Sequence, residues 1–239
     1  MIPAQRMAML SRTQLHAGAA VPHRKFAFRD DQPEMYFRVK GEGVNMAKLA
    51  GGVFLRTERR QDTFLEGMGP KSIDNCLKAV VLVNKFAQEK RKEESTGEVP
   101  WFHRVGFVPQ LRKTGTSYWL SMKVVGIKGP YTPYDAPEQE RLRVGQETKI
   151  DQLTGAVRTC WTRRCAGERS EPLVCAMGPR SVSLAVKSMA RCLKEMNERK
   201  GVLRLFLCHP DMIEEVLPEN GNSVVMTHMR LEPRPRETE

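Results

Sequence analysis

Residues 67–80 read GMGPKSIDNCLKAV, and residues 176–189 read AMGPRSVSLAVKSM. Met68-Gly69-Pro70 aligns with Met177-Gly178-Pro179, 109 positions later. Lys71 then falls on Arg180, Ser72 on Ser181, Ile73 on Val182 and Lys78 on Lys187. Agreement at Met, Gly, Pro, Ser and Lys in one order marks an internal duplication. In both copies Gly-Pro opens a helix, because proline is suited to the first helical turn. The buried stripe is Ile73, Cys76, Leu77, Val80 and Val81 in one copy, and Val182, Ala185, Val186, Met189 and Leu193 in the other.

The pattern extends outward from these helices. Upstream, Leu49-Ala50-Gly51-Gly52-Val53 matches Leu153-Thr154-Gly155-Ala156-Val157, and downstream Phe107-Val108-Pro109 matches Cys208-His209-Pro210. Length differences between the copies fall in polar connections, Arg163–Ser170 and Gln88–Glu98, where a duplicated fold tolerates them. Short strands are expected at 35–40, 63–65, 141–144 and 173–175. A first helix begins near Asn45, a good N-cap, and its counterpart runs through Ile150, Leu153, Val157, Cys160 and Trp161. Each copy ends in two strands, 102–108 with 118–127 and 203–208 with 224–231, joined by a hairpin loop. The expected fold class is α/β of the α+β kind, with the order β-α-β-α-β-β repeated. This sets a basic extension at 1–33, a first domain at 34–130, a linker at 131–139 and a second domain at 140–236.

Composition narrows the function. The 239 residues are 40% hydrophobic and 28% charged, enough apolar material for a core and too much for a disordered chain. No apolar run approaches membrane-spanning length, so no membrane partner is expected. The net charge of +11 favours a polyanionic partner over a neutral small molecule. Five basic residues, Arg6, Arg12, Arg24, Lys25 and Arg29, precede the first acidic residue, Asp30. An acid-free, arginine-bearing start reads as a mitochondrial transit-type segment, with a disordered basic tail as the alternative. The six cysteines form no CxxC pair, which disfavours zinc and fits buried thiols in a reducing compartment.

The element order, with Gly-x-basic-Ser-Ile/Val ahead of a helix bearing Leu77-Lys78-Ala79-Val80 or Ala185-Val186-Lys187, resembles the Alba-like superfamily. Within it the chain is similar to the bacterial stage V sporulation protein S family. Gly69, Asn75, Gly178 and the closing Met229-Arg230-Leu231-Glu232-Pro233-Arg234 also carry this resemblance. It departs in having two copies, and Pro70-Lys71 and Pro179-Arg180 stand where small residues are usual. The resemblance implies nucleic-acid binding through the start of the second helix and the last hairpin, and two tandem domains that can pack as an internal pseudo-dimer. The carried-over helix positions are Lys71, Lys78, Arg180 and Lys187.

The residues point the same way by their chemistry. A helix N-terminus offers free N–H groups, so Gly69-Pro70-Lys71-Ser72 can hold a phosphate; ordinary capping with solvated lysine explains it equally. Lys78 and Lys187 border the apolar stripe and can also be snorkelling core-edge residues. The hairpin 110–117, with Arg112 and Lys113 and flanked by Arg104 and Lys123, is basic. Its counterpart 211–219 is acidic and apolar and would repel phosphate. RNA contact is therefore expected from the first copy, and a protein contact through Ile213, Val216 and Leu217 from the second. Trp101, Phe102 and Trp119 read either as base-stacking rings or as core. No metal, triad, Walker or dinucleotide motif occurs, so neither catalysis nor a cofactor is expected. The resulting expectation is a non-catalytic RNA-binding subunit or assembly factor of a mitochondrial ribonucleoprotein such as the mitochondrial ribosome. The alternatives are a protein-interaction adaptor without nucleic-acid contact and a DNA- or chromatin-binding protein.

Overall fold

Asn45 caps the first helix, its side-chain oxygen accepting from the Lys48 N–H at 2.9 Å. The computed structural model describes residues 34–92, 99–114, 117–129, 141–168, 171–198, 204–216 and 223–235. The basic extension, the 131–139 linker and Leu217 lie outside the described residues. The first copy comprises β1 (Glu34–Val39), α1 (Met46–Glu58), β2 (Asp62–Gly67), α2 (Pro70–Lys92), β3 (Arg104–Thr114) and β4 (Ser117–Ile127). The second comprises β5 (Arg141–Val144), α3 (Ile150–Cys165), β6 (Leu173–Ala176), α4 (Gly178–Glu198), β7 (Arg204–Val216) and β8 (Ser223–Pro235). The order is β-α-β-α-β-β in each. Gly69 at φ +86° and Gly178 at φ +77° turn the chain into α2 and α4 through the left-handed region that favours glycine.

The eight strands form one mixed sheet in the order β1-β2-β4-β3-β7-β8-β6-β5. Exchanging the copies leaves that order unchanged. β1 runs parallel to β2 and β5 to β6, and every other neighbouring pair is antiparallel. The copies join at β3 and β7, where Phe107 lies opposite Cys208. Adding a side chain at Gly106 would bring its Cβ within 2.9 Å of the Cys208 carbonyl, so the junction needs glycine there.

One hydrophobic core spans both copies and all four helices. Val53, Ile73, Leu77 and Val80 from the first copy's helices share it with Val157, Trp161, Val182 and Met189 from the second's. Because neighbouring strand residues alternate sides, Leu65, Phe107, Met122, Val174, Cys208 and Leu231 face these helices. The helices therefore cover one face of the sheet, and the other face is free of them. Phe102 is wholly inside the core, which settles its reading. Among the described residues no helix is long and apolar enough to cross a membrane.

The hairpins differ from expectation. The basic run 110–114 and the acidic and apolar run 211–216 are strand, not loop: β3 continues to Thr114 and β7 to Val216, paired throughout with β4 and β8. Towards the arm tips polar and apolar residues occur on both sides, so alternation in hydropathy does not reveal the strands.

Candidate nucleic-acid interface

Strand alternation divides the expected site residues between the two faces of the sheet. On the helix side, the two duplicated loops converge. Gly69, Pro70, Lys71 and Ser72 from one copy and Gly178, Pro179 and Arg180 from the other line one cavity of about 540 Å³. The Lys71 ammonium lies 2.8 Å from a Glu42 carboxylate oxygen, and both groups are exposed. Their mutual hydrogen bond holds the lysine above and the carboxyl below its ordinary value. Arg180 is exposed and, among the described residues, has no carboxylate partner. Ser72 is buried, and its hydroxyl donates to the Met68 and Gly69 carbonyls at 2.5 and 3.0 Å. Its single hydroxyl hydrogen is thus committed to backbone carbonyls, so Ser72 lines the cavity without offering that hydrogen to a ligand.

A second cavity, of about 390 Å³, adjoins the first through Met68 and Gly69. Lys187 and Arg191 of α4, Leu111 of β3 and the exposed Tyr118 of β4 line it. Arg191 is engaged by Asp151 and by Glu195, the latter at 3.3 Å. Lys187 has no such partner among the described residues. Lys113, opposite Tyr118 in the ladder, shares the parity of Leu111 and so belongs to this side. Lys71, Arg180, Lys187 and Lys113 thus gather on one side of the molecule. Lys78 lines neither cavity and pairs with Asp74 one turn back at 2.7 Å.

The other three basic positions face the helix-free side. Arg112 lies 4.3 Å over the Tyr36 ring and 3.3 Å from a Glu66 oxygen, and Arg38 reaches the same buried carboxylate at 3.7 Å. Tyr36 and Phe64 stack at 4.6 Å. Desolvation and the bond it donates to Glu34 raise the Tyr36 phenol above its usual range. Trp119 is half-buried under Arg38, at 5.6 Å. Lys123 sits 3.4 Å from Asp62. Arg104, expected beside the hairpin, is buried at the far end of β3 and forks onto Glu232 at 2.5 and 2.9 Å. That carboxylate also serves Arg230. Arg104 joins the two copies, because the ladder ends at β3 on one side and Glu232 belongs to β8 on the other.

Of the acids expected in the second hairpin, Glu215 is turned inward, Glu214 is exposed and Glu219 lies outside the described residues. Glu215 is nearly buried and lies 2.8 Å from Arg141, 3.4 Å from Arg143 and 2.6 Å from the His228 Nε2. Burial pushes the His228 imidazole below its ordinary value despite that carboxylate. Glu214 accepts from Ser223. Ile213 and Val216, three residues apart on a strand, point to opposite sides, so they do not form one patch. Val216 is 68% and Val225 55% exposed.

Sequence spacing does not single out Tyr118, Arg191 or Arg38. Tyr118 follows from the parity of a strand that continues through 110–114, whereas Arg38 of β1 and Arg191 of α4 are brought in by tertiary contact. Among the described residues no group of three His, Cys, Asp or Glu side chains is placed to hold a metal. The sequence matches no protein-family model and no curated protein.

Proposed function

We propose that this protein binds RNA without catalysing a reaction, as a structural or assembly component of a ribonucleoprotein particle. The observation that carries the reading is the convergence of Gly69-Pro70-Lys71 and Gly178-Pro179-Arg180 on one cavity, with Lys187 in the adjoining one. Two helix N-termini and several cations on one side attract phosphates without reading sequence. The net charge of +11 and the Alba-like resemblance of the duplicated unit support the same conclusion. The acid-free first 29 residues support a mitochondrial particle such as the mitochondrial ribosome.

Filter binding of single-stranded RNA over a salt series tests this. Affinity should fall steeply between about 50 and 200 mM salt. Replacing Arg180, Lys187 or Lys113 by Ala should each weaken binding several-fold and reduce the log–log salt slope by about 0.7–1. Salt-independent affinity, or equal binding by the triple variant, would sink the proposal. Competition with duplex DNA separates an RNA from a chromatin target. A second reading, protein docking on the second arm, is favoured by the exposed Val216 and Val225. Purification of the full chain without RNA, together with loss of a protein partner on Val216→Asp, would favour that reading.

A further inference from the structure

A third cavity, of about 450 Å³, opens where the end of α1, the residues before β3 and the end of β4 meet, and reaches Leu207 and Arg234 of the second copy. Arg60, Lys123, Lys128 and Arg234 line it against a single carboxylate, Asp62. That carboxylate is already engaged by Lys123 at 3.4 Å. Among the described residues neither Arg60 nor Lys128 pairs with an acid. Trp101, Val125 and Leu207 supply an apolar wall.

The duplication makes Arg60 informative. Helix α1 ends with the Arg60 N–H donating to the Thr57 carbonyl at 3.0 Å and the Gln61 N–H to Arg56 at 2.9 Å. Helix α3 ends in the same way, with Gly167 to Arg164 at 3.1 Å and Glu168 to Arg163 at 3.0 Å. Both closing residues are left-handed, Gly167 at φ +78° and Arg60 at φ +58°. Among the described residues Arg60 is the sole non-glycine with a positive φ. Glycine suits this position and a side chain strains it, so the first copy keeps an arginine against its own backbone preference. The guanidinium lies 5.1 Å over the Trp101 ring. The indole N–H donates to the Thr57 carbonyl at 2.9 Å, which ties the ring to the same helix end. By the sequence offset that pairs Phe107 with Cys208, Val202 corresponds to Trp101, and the second copy closes its helix on Gly167 where the first has Arg60.

We propose that this cavity holds one unpaired nucleotide, with its phosphate against Arg60 and Lys128 and its base along the wall formed by Trp101, Val125 and Leu207. Aromatic rings and guanidinium planes are the surfaces on which unpaired bases stack, and cations beside them take the phosphate. A cavity of this size falls in the range of small-ligand sites. The proposal deepens the RNA-binding reading and rests on it for the source of the nucleotide; a free mononucleotide presents the same chemistry.

Intrinsic fluorescence of the full chain carrying Trp119→Phe tests it, since Trp161 is buried in the core and Trp101 becomes the accessible reporter. The probes are uridine monophosphate, a short oligouridine and inorganic phosphate. Saturable quenching by oligouridine alone assigns a nucleotide within a strand, and quenching by both nucleotide probes admits the free form; either result supports the site. Arg60→Gly should weaken nucleotide binding at least tenfold while its thermal midpoint stays level or rises, because the strain is relieved. Lys128→Glu should weaken binding in the same direction. Quenching by neither nucleotide, phosphate binding as tightly as the mononucleotide, or parental affinity in Arg60→Gly each overturns the proposal. Loss of the pocket with intact RNA filter binding leaves the broader reading standing. Mononucleotide quenching without RNA retention does the reverse.

Discussion

The helix-free face carries two different solutions on one repeated backbone. In the first copy the ladder brings together Arg38, Glu66, Arg112 and Trp119. The register-equivalent positions of the second are Arg143, Cys175, Ile213 and Met226. A buried carboxylate held by two guanidiniums thus becomes a thiol beside two apolar side chains. There Leu173, Cys175 and Met226 form a small cluster of their own, and Arg143 turns to Glu215 on β7 instead. The difference teaches that neither charge network is a property of the fold. Each is complete within its copy, and a buried ion pair and an apolar pair of similar volume can serve one site about equally well. The helix side is the opposite case. There the same Gly-Pro-basic-Ser loop is kept in both copies and brought to one cavity, which is why the functional reading rests on that side.

The comparison breaks most sharply at the junction. Phe107 is fully buried where the copies meet, so Phe107→Ala should remove about 3–5 kcal/mol. Calorimetry should show one transition shifting as a whole; two transitions, with only one displaced, would mean the copies unfold independently.

Next in size is a pH effect confined to the second copy. Burial, with Arg104 nearby, pushes the His209 imidazole down to about 4, against 6.5 for the exposed group. The first copy has Val108 at the equivalent position. Between those values the unfolded chain holds the proton and the folded chain does not. Stability is therefore fully present above pH 6.5 and declines as pH falls toward 4, by on the order of 3 kcal/mol. Urea midpoints across this range should show the slope in the parent and lose most of it in His209→Val. An equal slope in the variant would assign the effect to other groups.

The smallest effect sharpens the exchange of networks. Arg112→Ile leaves the buried Glu66 with Arg38 alone, at 3.7 Å, and should cost about 1–2 kcal/mol, discounted because Arg112 is half exposed. Adding Glu66→Cys imports the second copy's pair and should restore most of that loss in a double-mutant cycle. Additive losses would show that the second copy's solution depends on more than these two positions.

Much of the fold is legible in the sequence. Met68-Gly69-Pro70 and Met177-Gly178-Pro179 identify the duplication, and the apolar stripes of α2 and α4 follow from helical spacing. The strand ends are not legible, because Gln110–Thr114 and Asp211–Val216 show no alternation of polar and apolar residues that would mark a strand. That error carried into the site: read as a loop, Arg112 and Lys113 form one basic patch. As strand neighbours they face opposite sides, one on Glu66 and Tyr36, the other beside Tyr118. The bonds Ser72 makes are not legible in sequence for a local reason, since a hydroxyl at a helix start has backbone carbonyls as well as ligands within reach. Arg104 and Glu215 look like surface charges in sequence because their partners, Glu232 and Arg141, lie far along the chain.

Sequence alone determines the duplicated β-α-β-α-β-β order, the charge surplus and the two glycine-led helix starts, all of which depend on local periodicity and backbone preference. Tertiary structure decided that the copies share one sheet and core through Phe107 and Cys208. It also decided which cations are neutralised and which remain on the side where the two loops meet. Apart from short-range pairs such as Lys78–Asp74, those outcomes depend on contacts between separate elements, 29 positions apart for Lys71–Glu42 and 128 for Arg104–Glu232, which local periodicity does not encode.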